Sequence, residues 1–149
     1  MKGVARAAPR RVARIRRAST PPDAETARFV AHARFRFALR RFLRFSEDQA
    51  RAAGVTPAQH QLLLAIRGSR QAWLSVGAIA RALLIRPHSA VGLVERAVRD
   101  GLVSKSPDPA DLRRVRVVLT SRGNELISAL TAAHRAELRR LWRQVPRLR

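Results

Sequence analysis

From residue 28 to residue 53 the apolar positions Ala31, Phe35, Ala38, Leu39, Phe42 and Phe45 recur at spacings of three and four. Arg34, Arg36, Arg40, Arg41 and Arg44 fill the gaps, and the pattern predicts a long amphipathic helix that Gly54 ends. Thr56, Pro57 and Gln59 then offer an N-cap, a proline in the first turn and a capping-box glutamine for a second helix to about Ile66, closed by Gly68. Trp73 and Leu74 read as a short extended stretch. Ser75 is a natural N-cap for a third helix burying Val76, Ile79, Ala80 and Leu83. After the turn Leu84-Ile85-Arg86, Pro87 opens a fourth helix with Val91, Val94 and Val98 on one face and a glycine C-cap at Gly101 followed by Leu102.

Two short helices joined by a tight turn make a helix-turn-helix, here about residues 75–101. Residues 102–106 and 114–119 are β-prone, and Pro107 to Asp111 between them predict a hairpin with a longer, exposed loop, a wing spanning about 102–119. Thr120 caps a last helix, about 120–145, with Leu126, Ile127, Leu130, Leu138, Leu141 and Val145 on its apolar side and Pro146 at its end. The fold class is therefore mainly α with a small β wing: a winged helix-turn-helix flanked by long helices at both ends, which are expected to form a dimer interface.

Composition adds charge to this picture. Lys and Arg number 31 against 10 Asp and Glu in 149 residues, a net charge of +21, with 46% hydrophobic residues. One domain of ordinary core content fits that length. The absence of Cys excludes disulfides, thiolate metal sites and thiol chemistry. The longest uncharged run, Ala52–Ile66, is shorter than the roughly 20 mostly apolar residues of a membrane span. So basic a domain is drawn to polyanions, foremost nucleic acid, without composition choosing DNA over RNA.

Much of the charge sits in residues 1–22, where Lys2, Arg6, Arg10, Arg11, Arg14, Arg16 and Arg17 precede the first acid, Asp23. Its apolar content is mostly Ala and Val, so it reads as a disordered basic arm before a domain at 23–149. A spurious upstream start and an organelle transit peptide are the alternatives; no apolar stretch suits a secretory signal.

The stretch Gly101-Leu102-Val103, then Asp111-Leu112-Arg113, then Val117-Val118-Leu119-Thr120 with Gly123, resembles the wing signature of the multiple-antibiotic-resistance regulator (MarR) family of bacterial transcription factors. Val55-Thr56-Pro57 with Gln59 resembles that family's second-helix start, and the resemblance covers about residues 28–138. It implies a cytoplasmic homodimer that binds a pseudo-palindromic operator in double-stranded DNA and is released by a small-molecule effector. The effector's pocket residues stay unassigned. The fourth helix would enter the major groove, where all four base pairs are distinguishable. His88 and Ser89 would donate to bases or phosphates, Gly92 would let the backbone approach, and Arg96 would reach phosphate or guanine. Gly92 departs from the longer polar residue usual in the family. Arg113 would enter the minor groove, oriented by Asp111, while Arg86, Lys105 and Arg114 are candidate phosphate contacts. Only 29 residues follow Thr120, too few for the two helices with which the family commonly finishes.

Each assignment has a plainer counterpart. Arg96 and Arg99 can be solvated residues balancing Glu95 and Asp100, Ser89 can cap a turn, His88 can lie idle on the surface, and Arg113 can be a loop charge. The Phe35, Leu39, Phe42 stripe reads as packing. His32, His60, His88 and His134 lie singly on different elements with no ligand partner three or four residues away, so no metal or other cofactor is expected. No glycine-rich phosphate loop, acid pair or activated nucleophile is present, so the chain is not read as an enzyme. The rival function is a structural protein that clamps RNA or DNA without sequence preference. An RNA-binding sheet would want exposed stacking aromatics, and there is no Tyr.

Overall fold

The computed structural model describes residues 23–145; the basic segment 1–22 and the last four residues, with Pro146, lie outside them. In chain order the elements are α1 (Ala24–Ala52), α2 (Pro57–Arg67), β1 (Trp73–Leu74), α3 (Val76–Leu83), α4 (Pro87–Arg99), β2 (Val103–Asp108), β3 (Asp111–Leu119) and α5 (Ser121–Gln144). The three strands form one antiparallel sheet in the order β1-β3-β2. This is the winged helix that the sequence pattern predicts. No helix among the described residues is long and apolar enough to cross a membrane.

The helix starts follow the local chemistry. Thr56 and Gln59 form a full capping box on α2, Ser75 accepts from the Ala78 N–H on α3, and Thr120 accepts from the Gly123 N–H on α5. Each such cap is worth about 1 kcal/mol. At the end of α4, Gly101 takes φ 68° while its N–H donates to the Val98 carbonyl and that of Leu102 to Ala97. That pairing closes a Schellman motif, and Gly adopts the left-handed conformation without a Cβ clash.

Three details differ from the sequence reading. Helix α1 starts a turn earlier than predicted because Asp23 accepts the Thr26 N–H at 2.7 Å. On α4 the buried stripe is Ala90, Leu93, Val94 and Ala97, whereas Val91 is 49% exposed. Val94 is buried and Val98 packs against the core as expected, so the valines mark one edge of the buried face, whose centre Ala90, Leu93 and Ala97 complete. The wing has no long loop: β2 and β3 run on until Asp108 pairs with Asp111, leaving Pro109 and Ala110 as the turn. Asp108 makes this possible by accepting the Ala110 N–H at 3.0 Å, an Asx-type turn that substitutes a side chain for backbone pairing.

The core lies in the head. Leu62, Leu63 and Ile66 of α2 meet Ile79 of α3, Leu93 and Val94 of α4, Leu102, Val103 and Val117 of the wing base, and Ile127 of α5, all nearly fully buried. A side chain so buried contributes roughly 1.5–3 kcal/mol. Only Ser46 and Ala50 are buried on α1, both near its C-terminal end. The rest of α1 and the second half of α5 run antiparallel as a two-helix projection, with Arg41 reaching Glu137 at 3.3 Å and Phe42 and Phe45 flanking His134.

The start of α5 packs hard on the head, because a Cβ at Gly123 would collide with the Leu102 carbonyl. Gly123→Ala is expected to destabilise the protein by about 1–3 kcal/mol, the usual cost of overpacking, read as a lower denaturant midpoint. An unchanged midpoint would show that α5 sits farther from the wing base than described.

Candidate nucleic-acid interface

Helix α4 opens at Arg86, whose extended backbone precedes Pro87 without a side-chain cap, so the first N–H groups of the helix remain available to an anion. Arg86, His88, Ser89 and Arg96 are exposed and Gly92 is half-buried. These residues share one helix and its N-cap, with the opposite face sealed into the core. Arg96 has no carboxylate partner among the described residues, whereas Glu95 is taken by Lys105 at 2.6 Å. That ion pair joins β2 to α4, so Lys105 reaches a partner of its own rather than standing free.

At the wing tip the Arg113 side chain is 95% exposed. Asp111 accepts the Arg113 backbone N–H at 3.1 Å and lies 3.5 Å from its Nε. Asp111 therefore holds the backbone of the turn first and the guanidinium only loosely, a different division of labour from the side-chain hydrogen bond expected of it. Arg114 is exposed beside it.

Beneath the tip is a cluster absent from the candidate residues named from sequence. Asp108 is 2% exposed, its Oδ1 accepts from Arg116 Nη2 at 2.6 Å, and the Arg116 guanidinium lies 4.4 Å from the centre of the Trp73 ring. The Ala110 N–H first, and then Arg116, hold the Asp108 carboxyl below its ordinary range. Cation, carboxylate and indole thus join the turn, β3 and β1 in one stack. The signal available in the sequence was the alternation Arg114-Val115-Arg116-Val117. It places Arg116 on a fixed face of β3 but does not reveal the partner across the sheet.

The histidines are not all solitary. His60 of α2 and His134 of α5 are both buried with ring centroids 5.1 Å apart, and Phe42 and Phe45 of α1 meet His134 edge-on. His134 Nδ1 donates to the Leu130 carbonyl at 2.6 Å, and its buried Nε2 has no partner among the described residues. Burial, and then the charge of His134, push the His60 imidazole below its ordinary pKa. No group of three His, Cys, Asp or Glu is placed to hold a metal ion among the described residues.

Between α1 and α5, in the projection, lies a cavity of about 330 Å³ lined by Arg34, Phe37, Arg41, Phe42, Glu137 and Arg140 among others. It is separate from α4 and the wing. The sequence reading assigned no ligand residues, since periodicity does not show where two helices part.

A family model described as the MarR family matches residues 53–114, from the end of α1 into β3. That match covers the helix-turn-helix and most of the wing, the part that carries the candidate interface. MarR-family members are regulators and not enzymes. Among solved structures, the MarR-family regulator AbsC of Streptomyces coelicolor is 20% identical, with a TM-score of 0.67 over 85% of this chain and 84% of that one. A Staphylococcus aureus MepR mutant, solved bound to an oligodeoxyribonucleotide, is 23% identical at a TM-score of 0.62, covering 76% and 82%. Bordetella bronchiseptica BpsR, whose DNA binding is regulated by 6-hydroxynicotinic acid, is 26% identical at a TM-score of 0.58, covering 71% and 74%. No curated protein matches the chain.

The buried imidazole pair generates a pH prediction. His60 binds its proton less readily folded than unfolded, so its contribution to stability is complete above the unfolded value of 6.5 and is lost as pH falls towards the lower folded value. The denaturant midpoint should fall between about pH 7.5 and pH 5.5, and His60→Phe should flatten that slope. An identical slope in the variant would place the titrating group elsewhere.

Proposed function

We propose that this protein is a homodimeric transcriptional regulator of the MarR type that reads double-stranded DNA by sequence and acts in the cytoplasm. The carrying observation is the pairing of two exposed reading elements on one rigid head: the opening turns of α4 and Arg113 at a tip braced by Asp108, Arg116 and Trp73. Helix α4 suits the major groove, where His88, Ser89 and Arg96 meet base edges or phosphates. Gly92 lets the helix come close. Arg113 suits the negative potential of a narrow minor groove, with Asp111 fixing the turn behind it. Arg86, Arg114 and Lys105 serve the phosphates, Lys105 by exchanging its Glu95 partner.

The dimer is supported by what α1 and α5 leave uncovered. Phe29, Phe37, Leu138 and Trp142 are exposed along the projection, apolar area that no element among the described residues covers. Two heads related by a twofold axis would meet half-sites about one DNA turn apart. Ligand response is supported by the cavity between α1 and α5, lined by Phe37 and Phe42 with Arg34 unpaired among the described residues and Arg41 and Arg140 held by Glu137, a setting where a small aromatic anion would stack on the rings and take Arg34. The charge of +21 equally suits a clamp without sequence preference, and base selectivity decides between the two.

Arg113→Ala is expected to weaken binding to the preferred duplex by about 1–3 kcal/mol, measured by titration, while Ser89→Ala and His88→Ala change which bases are preferred. Unaltered affinity in Arg113→Ala would remove the wing from the interface. Benzoate is expected to release the duplex, and Arg34→Ala to raise the concentration required about tenfold. If the same benzoate concentration serves both proteins, the cavity is not the effector's site.

A further inference from the structure

The face of α4 turned away from the core is polar at His88, Ser89, Glu95, Arg96 and Arg99. Val91 stands among them, the fifth residue of the helix and 49% exposed. It follows His88 by three residues and precedes Glu95 by four, so the three lie along one stripe. Glu95 meets Lys105 of β2 at 2.6 Å, which sets that stripe on the wing side of α4. Gly92, the next residue, adds no side chain between the helix and a ligand.

A lone apolar residue on a protein surface ordinarily needs no partner. Val91 differs in its place, because it lies in the opening turns of the helix that faces base edges in the complex proposed above. An isopropyl group there distinguishes the bases. It neither donates nor accepts, so against an amino group, a carbonyl oxygen or a ring nitrogen it displaces water without replacing the lost hydrogen bond. The 5-methyl group of thymine is the apolar group that the four unmodified bases present in the major groove, and contact with Val91 removes apolar surface of both from water.

We propose that Val91 is a specificity-determining residue that reads thymine through its 5-methyl group. The inference rests on the DNA-reading function above and deepens it. His88, Ser89 and Arg96 address hydrogen-bonding edges, whereas Val91 adds an apolar contact that selects one base by attraction and disfavours the others by unpaired polar groups. Glu95, one turn further on, leaves that contact open because its carboxylate is drawn to the wing.

The test uses the full chain and a duplex obtained by selection for the sequence it prefers. Each thymine is replaced in turn by uracil, which lacks the 5-methyl group and keeps the hydrogen-bonding edges, at matching positions of both half-sites. Affinity is measured by titration at fixed salt. At one position the replacement should weaken wild type roughly tenfold, the worth of about one methyl group buried in each half-site. Val91→Ser removes both γ-methyl groups and matches Val in helix propensity, and it should bind the thymine and uracil duplexes within about twofold of each other. On the uracil duplex the variant and wild type should also agree within a few-fold, which shows that the fold is intact. A preferred site in which no replacement by uracil costs affinity overturns the proposal alone. So does a Val91→Ser protein that keeps the wild-type ratio, since another group would then be reading the methyl. Protein that selects no common sequence overturns the proposal together with the DNA-reading function.

Discussion

The arrangement of this protein depends on one close contact, the seating of the first turn of α5 on the backbone of Leu102. The Thr120 hydroxyl lies 2.7 Å from the Gly101 carbonyl oxygen and 3.1 Å from that of Leu102, within donating distance of both, and accepts the Gly123 N–H. Arg122 donates to the Asp100 carbonyl at 3.2 Å, and Gly123 leaves no Cβ between helix and strand. The last residues of α4, the first of β2 and the start of α5 are thereby joined within one short segment. Helix α4, wing and projection inherit their mutual orientation from it. These polar groups pair with one another, so sliding the elements apart would break several hydrogen bonds at once.

From that anchor the chemistry divides by position. The head supplies rigid presentation: α4 buries Ala90, Leu93, Val94 and Ala97 and exposes His88, Ser89 and Arg96, while Asp108, Arg116 and Trp73 stiffen the wing below Arg113. The projection supplies surface: a cavity between α1 and α5, apolar residues left uncovered, and exposed arginines. His60 and His134 sit where the two parts meet. Short-range order in the head and long-range charge on the projection are thus separate properties carried by one continuous core.

Much of the fold was legible because the punctuation is local. Thr56, Ser75, Thr120, Pro57, Pro87 and Gly101 set helix ends through contacts within a few residues, and such signals read directly from sequence. The MarR resemblance rested on residues whose place in the structure has a physical reason, Gly123 most clearly. What escaped were contacts across the chain. Arg116 and Trp73, or His60 and His134, are paired by tertiary packing that no spacing encodes. The wing loop was overestimated because Pro107 and Asp108 look like loop residues. Buried pairing with Arg116 and an Asx turn keep them in the strand instead. The valines of α4 marked its buried face only in part, Val91 being exposed, since alanine, weakly hydrophobic in a pattern, can be the most buried residue where helices touch.

The central claim is that α4 and the wing read base sequence as a symmetric pair. Selection of bound fragments from a pool of random duplex DNA at physiological salt tests it most directly. Two heads set by one twofold axis predict recovery of an inverted repeat with half-site centres about one helical turn apart. Recovered sequences with no common motif, bound in proportion to length alone, would contradict the account and leave a basic clamp in its place.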